Sequence, residues 1–496
     1  MAENPATTPI AIGSKAWFVA GMLLLLFLHF YRLAHIPGLH YDEAWAMNYS
    51  WRIASESGFW PLQAMSPYTA PWAHYWAALW LKIFGPSLWM FRASQVLLSL
   101  AGLAAVCMAL PRPVRLIFPW AMLLLPGLLL NHRFAIELTG FHVLAFGSLC
   151  WCISRRWYYL AALAAIAGTT AHILFYAVLL GLLFAVLHTT PSGVAIERRA
   201  KKAFVAYFAL MALFFLQVLI AIPEKGKAGA LVLSSVGAVA LVLAGCERWH
   251  GWRSVWWGRA LPVLAAVFVF NALFFLQGTW SAAIATGKPY WQGSIFYLGS
   301  HILLLMVFFG HSFVALKNEN TWLRVWFLSG TFFMGIMMLK PAPRYFEIAL
   351  IGIATIWAND WWRYWKTTSW KNHFLRQRLS LRLSLTYCVL ANLVFVFVHL
   401  VEYSPLDTSL RYLFFKDSSR DFLDKQSLVR FLGGSGCEFS DIETHDPRLL
   451  ETLKALSLGD WRVDDKKHCN YLHVSRRTEE GATGEPFGEF LLRRKQ

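Results

Sequence analysis

A polytopic α-helical membrane protein is the fold class this chain predicts, and three observations predict it. The composition is 57% hydrophobic, with 38 Phe and 25 Trp among 496 residues. Apolar stretches of about 20 residues, the length a helix needs to cross a bilayer, recur too often for a soluble core. The basic residues behind the formal net charge of +17 fall in short clusters between those stretches. A spanning sheet barrel is excluded, because its strands would alternate in polarity instead of running continuously apolar. The charge is likewise no footprint for nucleic acid, since it does not gather on one soluble face; clusters of this kind mark cytoplasmic loops.

The first apolar run, residues 17–30 (WFVAGMLLLLFLHF), lacks a convincing small-residue cleavage site and reads as a retained anchor. With the N-terminus inside, span one covers 17–34 and the loop holding Asp42 and Glu43 emerges outside. Residues 71–84 (PWAHYWAALWLKIF) are apolar but short, and they carry His74 and Lys82. Were they to cross, every later basic cluster would land outside. They are therefore expected to lie along the outer interface, with Trp and Tyr rings at headgroup level.

Span two is then 88–110, which delivers Arg112 and Arg115 to the cytoplasm. Further spans are expected at 116–131, 138–154, 157–171, 173–188, 203–222, 229–246, 259–277, 296–316, 321–339, 345–361 and 383–401, about thirteen in all. The clusters at Arg155–Arg156, Arg198–Lys202, Arg248–Arg253, Lys317–Arg324 and Arg363–Arg382 all fall on the inner side of that map.

Beyond Glu402 the chain turns charged and mixes helix-like stretches (DFLDKQSLVRFL, PRLLETLKALSL) with strand-like ones (NYLHVSR, EFLLRR). The expected division is a membrane domain over 1–402, whose outer loop and interfacial helices occupy 35–87, and a small extracytoplasmic α/β domain over 403–496. Cys437 and Cys469 are the cysteines outside the spans in this map, and an external pair is expected to be bridged, closing a loop of about 32 residues. The alternative is two reduced thiols in a domain on the inner side. Cys150 and Cys152 lie in apolar runs and read as packing residues.

No Walker loop, dinucleotide fingerprint or metal-ligand spacing occurs, which argues against an ATP-driven pump and against a cytoplasmic nucleotide-sugar enzyme. No cofactor is implied, and no ligand spacing supports a divalent metal. Five segments on the predicted outer face carry polar groups: Asp42-Glu43; Thr69 to Trp76 with His74; Asn131 to Glu137 with Arg133; Gly287 to Gln292 with Lys288; and Lys340 to Glu347 with Arg344 and Tyr345. Carboxylates suit a general base, cations suit a departing phosphate, and aromatics suit sugar faces and prenyl chains. Each also has a bland reading. Arg133 and Glu137 stand at i,i+4 as a helix-capping pair would, and Lys340 or Arg344 at a helix end suits snorkelling. Their joint placement on one face favours function.

The run from Tyr41-Asp42-Glu43, through the proline-aromatic helix 71–84, to Phe84-Gly85-Pro86-Ser87-Leu88-Trp89-Met90-Phe91-Arg92 resembles the N-terminal signature of GT-C glycosyltransferases. It is most similar to the branch of protein O-mannosyltransferases and lipid A aminoarabinose transferases (glycosyltransferase families 39 and 83). Glu137-x-x-x-Phe141 and Arg344-Tyr345 resemble later signatures of that branch. The resemblance covers 20–150 well, thins through the middle and returns near 340–360.

It implies a multi-pass enzyme of a bacterial inner membrane, with its site and C-terminal domain facing the periplasm or exterior. A polyprenyl-phosphate-linked sugar would be the donor, and a lipid, glycan or protein the acceptor. Asp42 would activate the acceptor in an inverting transfer. Glu43 would support it, its negative charge holding the proton on its neighbour. His74, Arg133, Glu137, Lys288, Lys340, Arg344 and Tyr345 would serve donor phosphate or substrate. One position departs: the aminoarabinose transferases carry Lys immediately before the proline of the interfacial helix, and Ala70 stands there. The rival readings are an oligosaccharyltransferase, for which the C-terminal part is small, and a lipid or sugar transporter, which would place its ionisable groups at the bilayer midplane.

Overall fold

The computed structural model describes residues 12–34, 41–64, 69–133, 135, 140–172, 174–189, 198–221, 322–337, 347–366, scattered positions between 379 and 390, residue 455, and 471–476, 485–487 and 490–494. Within these, helices dominate. They are α1 (Ile12–Phe30), α2 (Tyr41–Ser55), α3 (Trp72–Phe84), α4 (Leu88–Ala109), α5 (Arg112–Leu123), α6 (Pro126–Arg133), α7 (Gly140–Ser154), α8 (Tyr158–Ala171), α9 (Phe175–Thr189), α10 (Arg198–Ala221), α11 (Trp322–Met337) and α12 (Glu347–Lys366). Among the described residues, α4 alone is long and apolar enough to cross a bilayer by length and composition, while parts of α1, α7, α8 and α9 are shorter apolar helices. The expected spans at 229–246, 259–277, 296–316 and 383–401 lie wholly or largely outside the described residues.

Two sequence expectations change. Residues 116–131 were expected to form one span, but the helix stops at Leu123 and restarts at Pro126. Proline disfavours helical backbone at the residue before it, so Leu124-Leu125 become a break and α6 can set off in its own direction. The acidic pair, expected in a loop, stands in the first turn of α2. That helix is not apolar enough to look like a span. Its pattern is nonetheless helical: Glu43, Ala44, Ala46, Met47 and Ser50 are buried while Arg52 and Ser55 are exposed, the one-sided spacing of an amphipathic helix.

Helix α2 packs on α3, whose buried face is Ala73, His74, Ala77, Ala78 and Leu81. The connection is tied down by Tyr75 Oη donating to the Pro61 carbonyl (2.9 Å) and Tyr49 Oη to that of Gln63 (2.5 Å). At its other side this segment bonds to the first half of α4 and the last turn of α8. Trp76 Nε1 donates to Ser94 O and Gln95 Nε2 to Ala73 O, both near the start of α4. The Ala70 amide donates to Thr170 O, in the last turn of α8. Trp72, Leu79, Ile83 and Phe84 stay exposed. Ser87 opens α4 as its N-cap, accepting from the Met90 amide.

The core of the bundle is built on close crossings. Helix α4 lies along α7, and α9 along α11. A Cβ on Gly102 would collide with the Val143 carbonyl, and one on Gly147 with the Gly102 carbonyl. Small residues at such points let backbones approach, and packing then holds helices together where the hydrophobic effect between them is weak. Trp326 Nε1 locks α11 to α9 by donating to Val178 O at 2.9 Å. Arg324, grouped by sequence with the inner loop cations, is instead buried between α11 and α12, where it pairs with Asp360. A buried guanidinium is costly unless its charge is met, and Asp360 meets it here.

Near the C-terminus, β1 (Tyr471–Arg476), β2 (Glu485–Phe487) and β3 (Phe490–Arg494) form an antiparallel sheet in the order β1-β3-β2. The strand-like sequences NYLHVSR and EFLLRR coincide with β1 and β3.

Candidate active site

Glu43 is the best-defined group at the end of the bundle where α2 and α3 sit. Its side chain is fully buried. Arg92, at the start of α4, donates Nε to Oε1 at 2.7 Å and Nη2 to Oε2 at 2.8 Å, the two-pronged geometry that makes arginine–carboxylate pairs strong. The Ala135 amide gives Oε1 a further bond at 3.0 Å. Arg92 in turn spends Nη1 on the Leu33 carbonyl at 2.8 Å, just past α1. Four chain segments thus converge on one carboxylate: the end of α1, the start of α2, the start of α4 and the α6–α7 connection. Arg92 thus compensates the charge of Glu43 directly. Glu43 is placed as a structural anchor, and Asp42 is the adjoining position in the same first turn.

Arg133, at the end of α6, donates Nη1 to Leu28 O (3.0 Å) and Nη2 to Tyr31 O. Both carbonyls lie at the C-terminal end of α1, where a cation is favoured both by hydrogen bonding and by the helix dipole. Burial first, then the nearby charge of Arg92, pull the guanidinium down to about 9, so it remains charged at neutral pH. Beside it His132 lies 2.9 Å from His29 and 2.9 Å from Glu347, all three buried.

His74 faces α2: Ser50 Oγ is 3.0 Å from Nδ1, and the rings of Trp45 and Tyr49 meet the imidazole edge-on. Trp45 and Tyr49 stack with centroids 4.7 Å apart. Further out, Arg52 lies over the Phe59 ring and donates to Glu56, and those bonds hold the Glu56 carboxyl below the usual range.

Of the residues singled out by sequence, the structure brings Glu43 and Arg133 to one end of the bundle and places His74 on the α2–α3 contact. The side chain of Asp42, and Glu137, Lys288, Lys340, Arg344, Tyr345, Cys437 and Cys469, lie outside the described residues. Among the described residues no group of three or more His, Cys, Asp or Glu is placed to hold a metal ion. Sequence reasoning placed Arg92, His132 and Glu347 within its quoted segments without singling them out as site residues, and it gave His29 no role. The signal was present: ionisable residues within or beside apolar helices are costly and mark partners or function.

No family model matches the chain, and no curated protein matches it by sequence. Solved structures do match. The apo oligosaccharyltransferase of Archaeoglobus fulgidus superposes with a TM-score of 0.53 at 13% identity, over 92% of this chain and 61% of that one. The ArnT of Cupriavidus metallidurans bound to undecaprenyl phosphate gives a TM-score of 0.44 at 15% identity, over 90% of this chain and 85% of that one. This chain therefore spans less than two thirds of the oligosaccharyltransferase it matches, and it has the GT-C fold.

Proposed function

We propose that this chain is an integral membrane glycosyltransferase that moves a sugar from a polyprenyl-phosphate-linked donor to a lipid, glycan or protein hydroxyl on the extracytoplasmic face. The observation that carries the reading is the Glu43–Arg92–Ala135 clamp. It fixes the first turn of α2, and so the position of Asp42, against three other segments. A catalytic base must sit within hydrogen-bond reach of the proton it removes, and a clamp of this kind holds such a base in place.

In the proposed step the acceptor oxygen attacks the anomeric carbon from the face opposite the phosphate. The new C–O bond forms as the sugar–phosphate bond breaks. The bonding pair leaves with the phosphate, and the hydroxyl proton passes to Asp42. One carboxylate suffices, because a phosphate departs without protonation. Lys288, Lys340, Arg344 and Tyr345 are proposed to meet the phosphate, and Glu137 to serve the acceptor side. Residues 403–496, with the β1–β3 sheet, are proposed to form the extracytoplasmic domain, with Cys437 and Cys469 bridged.

The fold shared with an oligosaccharyltransferase favours one second reading, transfer to a protein amide. The experiment is to supply the purified protein in lipid vesicles with radiolabelled polyprenyl-phosphate sugars and lipid, glycan or sequon-peptide acceptors. Label passing to a lipid, glycan or hydroxyl acceptor supports the first reading, and label on asparagine the second. Label crossing the vesicle without forming a new bond identifies a transporter and sinks both.

A further inference from the structure

Three buried polar side chains from three helices meet end to end. His29 Nδ1 on α1 lies 2.7 Å from the Leu25 carbonyl, and its Nε2 lies 2.9 Å from His132 Nδ1 on α6. His132 Nε2 lies 2.9 Å from Oε1 of Glu347, which opens α12. The residues are exposed by 1%, 0% and 1%.

The protons in this chain can be counted. A carbonyl only accepts, so His29 carries hydrogen on Nδ1, and as a neutral imidazole it offers a lone pair at Nε2. His132 must then donate from Nδ1. That uses the single hydrogen of a neutral His132, and its bare Nε2 is left 2.9 Å from a carboxyl oxygen without alignment to it. Neither that nitrogen nor either Glu347 oxygen has an aligned hydrogen-bond partner among the described residues. Two lone pairs this close repel, and a lone buried carboxylate is costlier still. A single proton between them removes both costs and leaves the group neutral.

The consequence reaches the site through α6. His132 and Arg133 pin its last turn to α1, and Glu347 pins it to α12. Ala135, three residues after His132, carries the amide that binds Glu43 Oε1. We propose that His132 and Glu347 share one proton and act as positioning residues for Glu43, and through it for Asp42. This rests on the reading of Asp42 as the base.

The test measures kcat and both KM values in the vesicle assay for Glu347→Gln, Glu347→Leu, His132→Leu and the double leucine variant, with thermal melting as the folding control. The Gln amide can donate to His132 Nε2 as a protonated Glu does, so Glu347→Gln should keep kcat within about threefold. Each leucine variant should lose about 10- to 100-fold in kcat with both KM values unchanged, the scale of a small misplacement. The double should lose no more than one single, because the two residues act as a unit. Should the singles fail to fold, the double, which leaves no orphan polar atom, takes their place. Glu347→Gln as poor as Glu347→Leu overturns the shared proton, and losses that multiply in the double overturn the coupling. A wild-type protein that transfers no sugar removes the site reading itself, and this proposal with it.

Discussion

Arg92 and Glu43 are 49 residues apart in sequence and meet as a fully buried two-pronged ion pair, with contacts of 2.7 and 2.8 Å. The pair closes the end of the bundle by joining the first turn of α2 to the first turns of α4. Desolvating both charges is costly, so the pair is a device for placing α2 more than a reserve of stability.

Removing one partner should therefore be worse than removing both. Arg92→Met and Glu43→Leu should each destabilise by about 3–5 kcal/mol, because a buried charge is left unpaired. The double variant should recover part of that loss. Melting temperatures in detergent for the four proteins of this cycle measure it, and strictly additive losses would show that the two residues do not depend on each other.

Asp42→Asn keeps the shape of the side chain and removes the base. It should lower turnover by about 10²–10⁴-fold while donor binding and melting temperature stay close to wild type. Near-normal turnover would make Asp42 a structural residue and take the centre out of the enzyme reading.

Arg344→Ala should weaken binding of the polyprenyl-phosphate donor more than Arg344→Lys does, since lysine retains the charge but loses the two-pronged geometry. Acceptor KM should not change. Equal donor affinity in Arg344→Ala and wild type would assign this residue to the lipid interface.

Gly147→Val places a side chain where the Gly102 carbonyl of α4 stands. Backbone cannot rotate away as a side chain does, so α4 and α7 must separate. The cost should be at least about 1–3 kcal/mol, read as a lower melting temperature. An unchanged melt would mean that the two helices cross less closely than described.

The sequence by itself determined the helices that announce themselves through continuous apolar runs. Residues 88–110 were expected as a span and α4 runs over Leu88–Ala109; the expected helix at 71–84 is α3, Trp72–Phe84. Strand periodicity marked β1 and β3 as well. Local signals of this kind depend only on a residue's near neighbours, so they can be read along the chain. The acidic pair and its place after the first apolar run were legible for the same reason.

Only the tertiary structure decided what those residues touch. Helix α2 was hidden because half of its turns are polar, and its burial depends on α3. The break at Leu124-Leu125 was hidden because Pro126 ends one helix only where the next finds its own packing. Above all, Glu43 and Asp42 look alike in sequence, two acids side by side. Arg92 binds Glu43 from 49 residues away, and Ala135 from 92. Buried charge must be met by its opposite wherever the chain supplies one, and that choice of partner is made in space.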